Sequence, residues 1–352
     1  MFLVLALAAV LWGGGIFLGV PRKARVVVLS ILFVAVLAMQ LTLPAGHPLR
    51  ASTGGSVTPW LILGGFAVLV GVYVRGLQAL KRRANKPTER TGAKSAGSFS
   101  DSELDRYARH IVLRELGGPG QKRLKSARVL VIGAGGLGAP ALQYLAAAGV
   151  GTIGVIDDDV VDNANLQRQV IHRDEDIGTP KVFSAHAAML AQNPHIAVRP
   201  YNRRLSAGNA KDLFADYDLV LDGVDNFETR YLSNATAVAL GKPLISGALS
   251  QWEGQLSVFD PAAGGPCYQC IFPQAPAPGL APSCAEAGVV GPLPGVVGSM
   301  MAVEAIKLIT GAGAVLRGEM MIYDALYGET RKIGLKNRAD CPICGQQADK
   351  TA

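Results

Sequence analysis

Long uncharged runs occupy most of the first 75 residues of the chain. They span about 2–20, 26–43 and 56–74, and each is long enough to cross a hydrocarbon layer about 30 Å thick. The pattern therefore predicts three transmembrane helices within a membrane region at 1–83. In the alternative interpretation the first run is a cleaved signal peptide, but no basic segment precedes it and two further runs stay unexplained.

Basic residues flank these runs unevenly, whereas the loop at 44–55 carries only Arg50 and His47. Lys and Arg gather on the cytoplasmic side of a membrane, so the pattern predicts an N-terminus outside and everything after the third run in the cytoplasm. We therefore expect a multi-pass protein of the inner membrane with a cytoplasmic catalytic domain. These clusters supply part of the net charge of +7, so the basic composition does not predict a nucleic-acid partner. The flanking residues are Arg22, Lys23, Arg25, Arg75, Lys81, Arg82 and Arg83.

The segment 84–99 is small, polar and rich in residues that cannot build a core, which predicts a flexible linker. A domain at 100–346 and a short tail at 347–352 follow. Ser100 and Glu103 form a capping-box pattern that opens a stretch, 101–116, whose apolar residues recur at helical spacing.

The next pattern is an apolar strand, a glycine-rich turn, a helix and a second strand that ends in acidic residues. This order predicts an α/β fold with a Rossmann-like, doubly wound sheet. Glycines in the turn allow the backbone to approach a phosphate, and the helix N-terminus beyond supplies N–H donors. Asp157 lies where a ribose-binding acid is expected. The glycines of the turn are Gly133, Gly135, Gly136 and Gly138.

A polar, cationic series follows the second strand: Asn165, Arg168, Gln169 and then Lys181. Such a series suits a polyphosphate and is superfluous for a hydride carrier. A nicotinamide-dependent dehydrogenase would share the strand–turn–helix unit, but no histidine here has the partner spacing of a catalytic group. The histidines are His47, His110, His172, His186 and His195.

Nine motifs together resemble those of the MoeB/ThiF/HesA family, the bacterial relatives of ubiquitin-activating enzymes. The resemblance runs from about Ser100 to Gly345 and leaves the membrane region uncovered. The motifs are RYARHIVLRE, GAGGLG, NLQRQVIHRDEDIGTPK, LDGVDNFETR, EGQLSVFD, PCYQC, AEAGVVGPLPGVVGS, AIKLITG and CPICG.

The resemblance implies ATP-dependent adenylation of the C-terminal glycine of a small ubiquitin-like sulfur carrier of the molybdopterin or thiamine pathway. By the same resemblance, Arg168 and Lys181 hold the phosphates, supported by Asn165 and Gln169, and Asp157 takes the ribose. Asp225 would bind Mg²⁺, although an Asp at this place is also a suitable helix N-cap.

The resemblance also implies a homodimer in which Arg109 reaches the partner's site; without it, Arg109 would be a solvated helix residue. Cys284 is open between a small buried hydrophobe and a nucleophile that receives the activated carrier or its sulfur. After CPICG the sequence shows no sulfurtransferase-like extension, so we expect a separate sulfur donor.

Four cysteines form two C-x-x-C pairs, Cys267 with Cys270 and Cys341 with Cys344. Two pairs can close a tetrahedral thiolate site, and a cytoplasmic setting disfavours disulfides. Their spacing predicts a structural Zn²⁺ site that pins the C-terminal segment, with a redox C-x-x-C as the alternative. For the whole chain, the alternatives to carrier activation are a dehydratase-like enzyme acting on a modified adenosine of tRNA and a non-catalytic membrane scaffold.

Overall fold

The computed structural model describes residues 2–44, 46–84, 99–277 and 284–345. The chain divides into two units, residues 1–93 and 94–352. Most of the predicted linker, 85–98, and the predicted tail lie outside the described residues.

The N-terminal unit is helical. Val36 and Trp60 are buried in a small apolar cluster of this unit, and the side chain of Gln40 donates to Thr53 Oγ1 at 2.7 Å. Its helices are α1 (Phe2–Phe17), α2 (Arg22–Thr42), α3 (Pro48–Ser52) and α4 (Thr58–Ala84).

The prediction of three membrane-spanning helices is only partly met. Within the described residues two helices are long and apolar enough to cross a membrane, Ala24–Thr42 and Pro292–Thr310, and half of the second is buried inside the protein. Helix α1 has 16 residues, because the chain turns at Gly19 with φ of 67°, and the apolar part of α4, Thr58–Tyr73, is similarly short. A span needs about 20 apolar residues at 1.5 Å each, so α1 and the apolar part of α4 fall short of it.

The C-terminal unit opens with the predicted capping box, in which Ser100 and Glu103 pair reciprocally. The stretch 101–116, whose spacing predicts a helix, contains two short helices, because Tyr107 leaves helical geometry with ψ of 8° and divides them. Tyr107 is buried there and its hydroxyl accepts a hydrogen bond of 2.8 Å from Asn193. The helices of the unit are α5 (Asp101–Arg106), α6 (Ala108–Ile111), α7 (Gly117–Ser126), α8 (Gly138–Ala148), α9 (Lys181–Gln192), α10 (Ala207–Ala215), α11 (Phe227–Ala239), α12 (Tyr268–Ile271), α13 (Cys284–Ala287) and α14 (Pro292–Thr310).

A single eight-stranded sheet forms the centre of the unit, in the order β3-β2-β1-β4-β5-β6-β7-β8. The first five strands in this order are parallel to one another, and β6, β7 and β8 continue antiparallel. The strands are β1 (Arg128–Ile132), β2 (Thr152–Asp157), β3 (Ala197–Asn202), β4 (Leu219–Asp222), β5 (Leu244–Leu249), β6 (Glu253–Phe259), β7 (Glu319–Asp324) and β8 (Glu329–Gly334).

Helices cover both faces of the sheet, which confirms the predicted Rossmann-like α/β fold. Strand β1 alternates its side chains: Val129 and Val131 enter a core that contains α8, α9 and α14, whereas Leu130 and Ile132 enter a core that contains α10 and α11. A strand buried on both faces reads as a continuous apolar run, as this one does. Strand β1 lies between β2 and β4, so the strand order reverses at this place. Open α/β sheets bind their ligands at such a switch point, in the crevice outside the carboxyl ends of the strands.

Candidate nucleotide-binding cleft and cysteine cluster

A cleft of about 600 Å³ opens at the carboxyl ends of β1, β2 and β4. Its lining includes the glycine-rich turn, the acidic end of β2, the cationic series and the loop after β4. The predicted site residues on its wall are Gly133, Gly135, Gly136, Asp157, Arg168, Gln169, Lys181 and Asp225.

Glycine occupies the four positions of the turn for different structural reasons. Gly133 has a φ of 90°, and a Cβ on Gly138 would lie 1.9 Å from the Gly133 carbonyl oxygen, so neither tolerates a side chain. A Cβ on Gly135 would meet only the Gln169 amide, at 3.6 Å, and one on Gly136 would meet the Pro294 side chain at 3.0 Å. Gly133 and Gly138 thus shape the turn, whereas Gly135 leaves the cleft side of its backbone open.

Asp157 lies at the end of β2, as predicted, and supports the turn. Its carboxylate accepts hydrogen bonds from the backbone N–H groups of Ala134, at 2.7 Å, and Asp159, at 2.8 Å. Burial raises its pKa, and these two N–H groups and Lys181 oppose that rise. Asp157 therefore joins β2 to the turn after β1, and each oxygen keeps a lone pair for a further donor.

Lys181 begins α9 and its side chain is 5% exposed, with Nζ 2.8 Å from Asp159 Oδ2. Asp159 is 68% exposed, so the ammonium group is buried beside a carboxylate that faces the cleft and solvent. The sequence did not predict this partner. A desolvated ammonium needs a nearby anion, and Asp159 therefore fixes the Lys181 ammonium group at one place on the cleft wall.

Arg168 and Asn165 act as one group, because Arg168 Nη2 donates to Asn165 Oδ1 at 2.9 Å. The neighbouring Gln169 is buried, and its Oε1 has no hydrogen-bond partner among the described residues. A buried acceptor without a donor is costly, so Gln169 Oε1 fits a donor supplied by a ligand.

Asp225 follows β4 in a short loop and is exposed toward the cleft. It is not the N-cap of α11, because Asn226 holds that position and accepts a hydrogen bond from the Thr229 N–H at 2.9 Å. The described residues give the Asp225 carboxylate no hydrogen bond and no ion pair. Its oxygens are therefore free for a hard cation.

Sequence reasoning missed two buried charges below this loop. Asp222 ends β4 with no exposed surface, and Arg230 Nη1 lies 3.4 Å from its Oδ2. Arg230 also donates to the carbonyl oxygens of Val224, at 2.5 Å, and Gly247, at 2.6 Å. These bonds fix the loop that carries Asp225. The motif LDGVDNFETR contains both residues, but no sequence spacing shows that they pair.

This chain does not bring Arg109 into its own cleft. Arg109 is exposed on α6 and is absent from the cleft wall. Helix α13 begins at Cys284, whose side chain lies outside the described part of the structure. Two further cations that the sequence did not predict, Arg203 and Arg204, lie on the cleft wall after β3.

The four paired cysteines meet in one buried cluster, with all sulfur atoms within 4.8 Å of one another. The Cys267 and Cys341 sulfurs are 3.6 Å apart and the Cys270 and Cys344 sulfurs 3.3 Å apart. Metal–sulfur bonds of about 2.3 Å in a tetrahedron place sulfurs roughly 3.8 Å apart, so the cluster suits a tetrahedral metal. Burial raises the pKa of Cys267 to about 11. Burial also opposes the Cys341 thiolate, but the backbone N–H groups of Cys344 and Ile343 outweigh it and lower that pKa to about 7.

Comparison with known proteins identifies the family. The chain matches the ThiF family over residues 107–343, which is more than half of its length. It belongs to the ThiF family. This membership confirms the resemblance drawn from the nine motifs.

Curated relatives cover the same part of the chain. A sulfur carrier protein adenylyltransferase of Thermus thermophilus is 50% identical over 253 residues, 71% of this chain and 93% of the relative. A SAMP-activating enzyme E1 of Haloferax volcanii is 49% identical over 249 residues, 71% of this chain and 92% of the relative. The probable adenylyltransferase/sulfurtransferase MoeZ of Mycobacterium tuberculosis is 52% identical over 73% of this chain and 69% of its own length.

Solved structures share the fold at lower identity. The Escherichia coli protein MccB, solved with MccA-N7isoASN, matches with a TM-score of 0.60 at 20% identity, over 74% of this chain and 77% of that chain. At this identity the match supports the fold and not the activity.

Proposed function

We propose that the chain is an adenylyltransferase that uses ATP to activate the C-terminal glycine of a small ubiquitin-like sulfur carrier. The observation that carries the proposal is the cleft: an open glycine turn, fixed cations and an unpaired carboxylate meet at the switch point of the sheet. The relative named sulfur carrier protein adenylyltransferase, 50% identical over 71% of this chain, supports the same activity.

The chemistry needs positioning and charge neutralisation instead of a general base. A glycine carboxylate is already ionised at neutral pH; its oxygen attacks the α-phosphorus of ATP, the bond to the bridging oxygen breaks, and pyrophosphate leaves with the electron pair. Charge grows on the leaving pyrophosphate and on the α-phosphate oxygens. Arg168 and Lys181 provide the fixed positive charges, and Asn165 orients the Arg168 guanidinium.

Each remaining group has a role on the cleft wall. The N–H groups of the turn face the phosphates, and Gln169 Oε1 accepts a donor from the nucleotide. Asp157 takes a ribose hydroxyl with its remaining lone pairs. Mg²⁺, when bound by Asp225, would neutralise phosphate charge. Zn²⁺ suits the cysteine cluster, where it would join the C-terminal segment to α12 and contribute to folding.

The active form that we propose is a homodimer, with Arg109 completing the partner's cleft. Val112 and Leu113, which follow α6, are 74% and 47% exposed, and a partner protomer at α6 would cover them. Helix α2 is long and apolar enough to cross the inner membrane, and the shorter apolar helices α1 and α4, which share an apolar cluster with it, would complete the anchor. The cleft would then lie in the cytoplasm, where ATP and reduced cysteines are available.

Pyrophosphate exchange tests the function. The purified protein should exchange labelled pyrophosphate into ATP only when a carrier ending in Gly-Gly is present. Arg168→Ala should slow exchange by about 3 kcal/mol of transition-state free energy, as expected for one preorganised charged donor. Arg173→Ala is the matched control, because Arg173 is in the same segment but is 68% exposed and pairs with Glu175. Exchange without a carrier, or oxidation of NADH in place of exchange, would refute the proposal.

A further inference from the structure

His172 is a buried histidine that connects the cationic segment to the glycine-rich turn. It is 6% exposed, and its Nε2 lies 2.9 Å from the carbonyl oxygen of Ala134. Its Nδ1 lies 2.8 Å from Ser184 Oγ on α9, which in turn lies 2.8 Å from Asp176 Oδ2. One imidazole thus contacts the turn after β1 and the helix that begins with Lys181.

The carbonyl oxygen determines where the imidazole carries its proton. A carbonyl can only accept a hydrogen bond, so Nε2 must be an N–H donor in the neutral and in the charged ring. The Ser184 hydroxyl has one proton for two acceptors, His172 Nδ1 and Asp176, and Asp176 Oδ2 also accepts from the Arg173 N–H at 3.2 Å. Burial lowers the pKa of His172, which favours the neutral ring.

The two peptide groups that flank the Cα of Ala134 are consequently each held by one hydrogen bond. The Ala134 N–H donates to Asp157, at 2.7 Å, and its carbonyl oxygen accepts from His172. Ala134 lies between Gly133, with φ of 90°, and Gly135, whose backbone borders the cleft. Rotation of the Ala134–Gly135 peptide would turn the Gly135 N–H away from the cleft, and the bond to His172 resists that rotation.

We propose that His172 is a positioning residue for the nucleotide, which fixes the Ala134 carbonyl through Nε2–H and thereby aims the N–H groups of the turn at the phosphates. The proposal rests on the assignment of the cleft to ATP. His172 does not touch the substrate. It makes the turn and the Arg168–Lys181 segment one preorganised unit, so that the donors on both sides of the polyphosphate are set together.

Three substitutions separate this role from simple core packing. His172→Gln can place an amide N–H where Nε2–H lies, whereas His172→Asn places its amide near the position of Nδ1 and leaves the Ala134 carbonyl without a donor. By calorimetry with MgATP on the full-length protein, His172→Asn should weaken binding about ten-fold and His172→Gln less than about three-fold. His172→Met, which has about the length of His172→Gln but no donor, is the packing control: a packing defect would weaken binding equally in these two variants, whereas loss of the donor would weaken it only in His172→Met.

The tautomer gives a second measurement that does not depend on ATP. The chain has five histidines, so the signal that is missing from the His172→Gln spectrum identifies His172 in protein labelled with ¹⁵N-histidine. Long-range ¹H–¹⁵N correlation should show the proton on Nε2. A proton on Nδ1 alone, or equal binding of MgATP by wild type and His172→Asn, would overturn the positioning role. If the wild type itself bound no MgATP, the proposed function would fail and this role with it.

Discussion

Asp222 and Arg230 form an ion pair that is almost completely buried, with side chains 1% and 6% exposed and a separation of 3.4 Å. The guanidinium satisfies four acceptors at once: Asp222, Ser246 and the carbonyls of Val224 and Gly247. Asp225 follows Val224 directly. The Asp222–Arg230 pair, through the bond from Arg230 to the Val224 carbonyl, therefore fixes the position of the exposed Asp225 carboxylate relative to the sheet.

Arg230→Met should therefore destabilise the fold strongly. The variant leaves Asp222 charged and unpaired in the core, which costs about 3 to 5 kcal/mol of unfolding free energy. Denaturant unfolding measures the loss. The double variant Asp222→Asn with Arg230→Met should be more stable than the single variant, because no uncompensated charge is left. Equal stability of the two would show that the ion pair is not the source of the effect.

The glycines of the turn should separate into structural and ligand-facing positions. Gly138→Ala should prevent stable folding, because its Cβ would lie 1.9 Å from a backbone oxygen that cannot move away. Gly135→Ala meets only ordinary contacts, so its melting temperature should stay near that of the wild type while MgATP binding weakens through crowding of the phosphates. Thermal melts and calorimetry measure the two effects. Normal MgATP binding by Gly135→Ala would place the phosphates elsewhere.

His172 should make stability depend on pH in a definite direction. Its pKa is lowered by burial and by Lys181, while Asp157, Asp176 and the bond to Ala134 act in the opposite sense. Between the lowered folded pKa and the unfolded value of about 6.5, the unfolded chain binds more protons, so stability falls as pH falls. The unfolding free energy of the wild type should accordingly decline relative to His172→Gln between about pH 7 and pH 5. A difference that stays constant across this range would contradict the lowered pKa.

The cysteine cluster should hold one Zn²⁺ per chain. Cys341→Ser should lower both the metal content and the melting temperature, because thiolate ligation is coupled to folding. Metal analysis and thermal melts check the two effects. Cys284→Ser, which leaves both C-x-x-C pairs intact, is the matched control for metal content. If the wild type contained no metal and were still fully stable, the assignment of a structural Zn²⁺ to the cluster would be wrong.

The membrane arrangement leads to a reporter experiment. If α1, α2 and α4 all span the membrane, a reporter fused after Ala352 should be active only when it is of a cytoplasmic type, and one inserted near Ser52 should require export. The short lengths of α1 and of the apolar part of α4 make this a demanding test. Extraction of the full-length protein by carbonate would show that it is not integral.

The sequence predicted the parts of the site whose chemistry lies in consecutive residues. The strand, the glycine turn and Asp157 form one local pattern, and the two C-x-x-C pairs carry their own spacing, so both were correctly anticipated. The Lys181–Asp159 and Arg230–Asp222 pairs were missed, because each joins the end of a strand to the helix that follows it, and the path of the intervening loop decides whether the two side chains meet. The antiparallel strands β6 to β8 were not predicted. The stretch 101–116 is only partly helical, since Tyr107, whose buried hydroxyl accepts a hydrogen bond from Asn193, divides it.

Because all four cluster sulfurs are buried, the rate at which they react with a thiol reagent reports on local opening of the structure. A thiol reagent cannot reach Cys267 or Cys344 while the cluster is closed, since these side chains are 0% and 7% exposed. Modification then requires the C-terminal segment to detach briefly from α12, a local opening without global unfolding. The speed at which the native protein reacts, with and without a chelator, therefore reports how often that segment opens and how far the metal slows it.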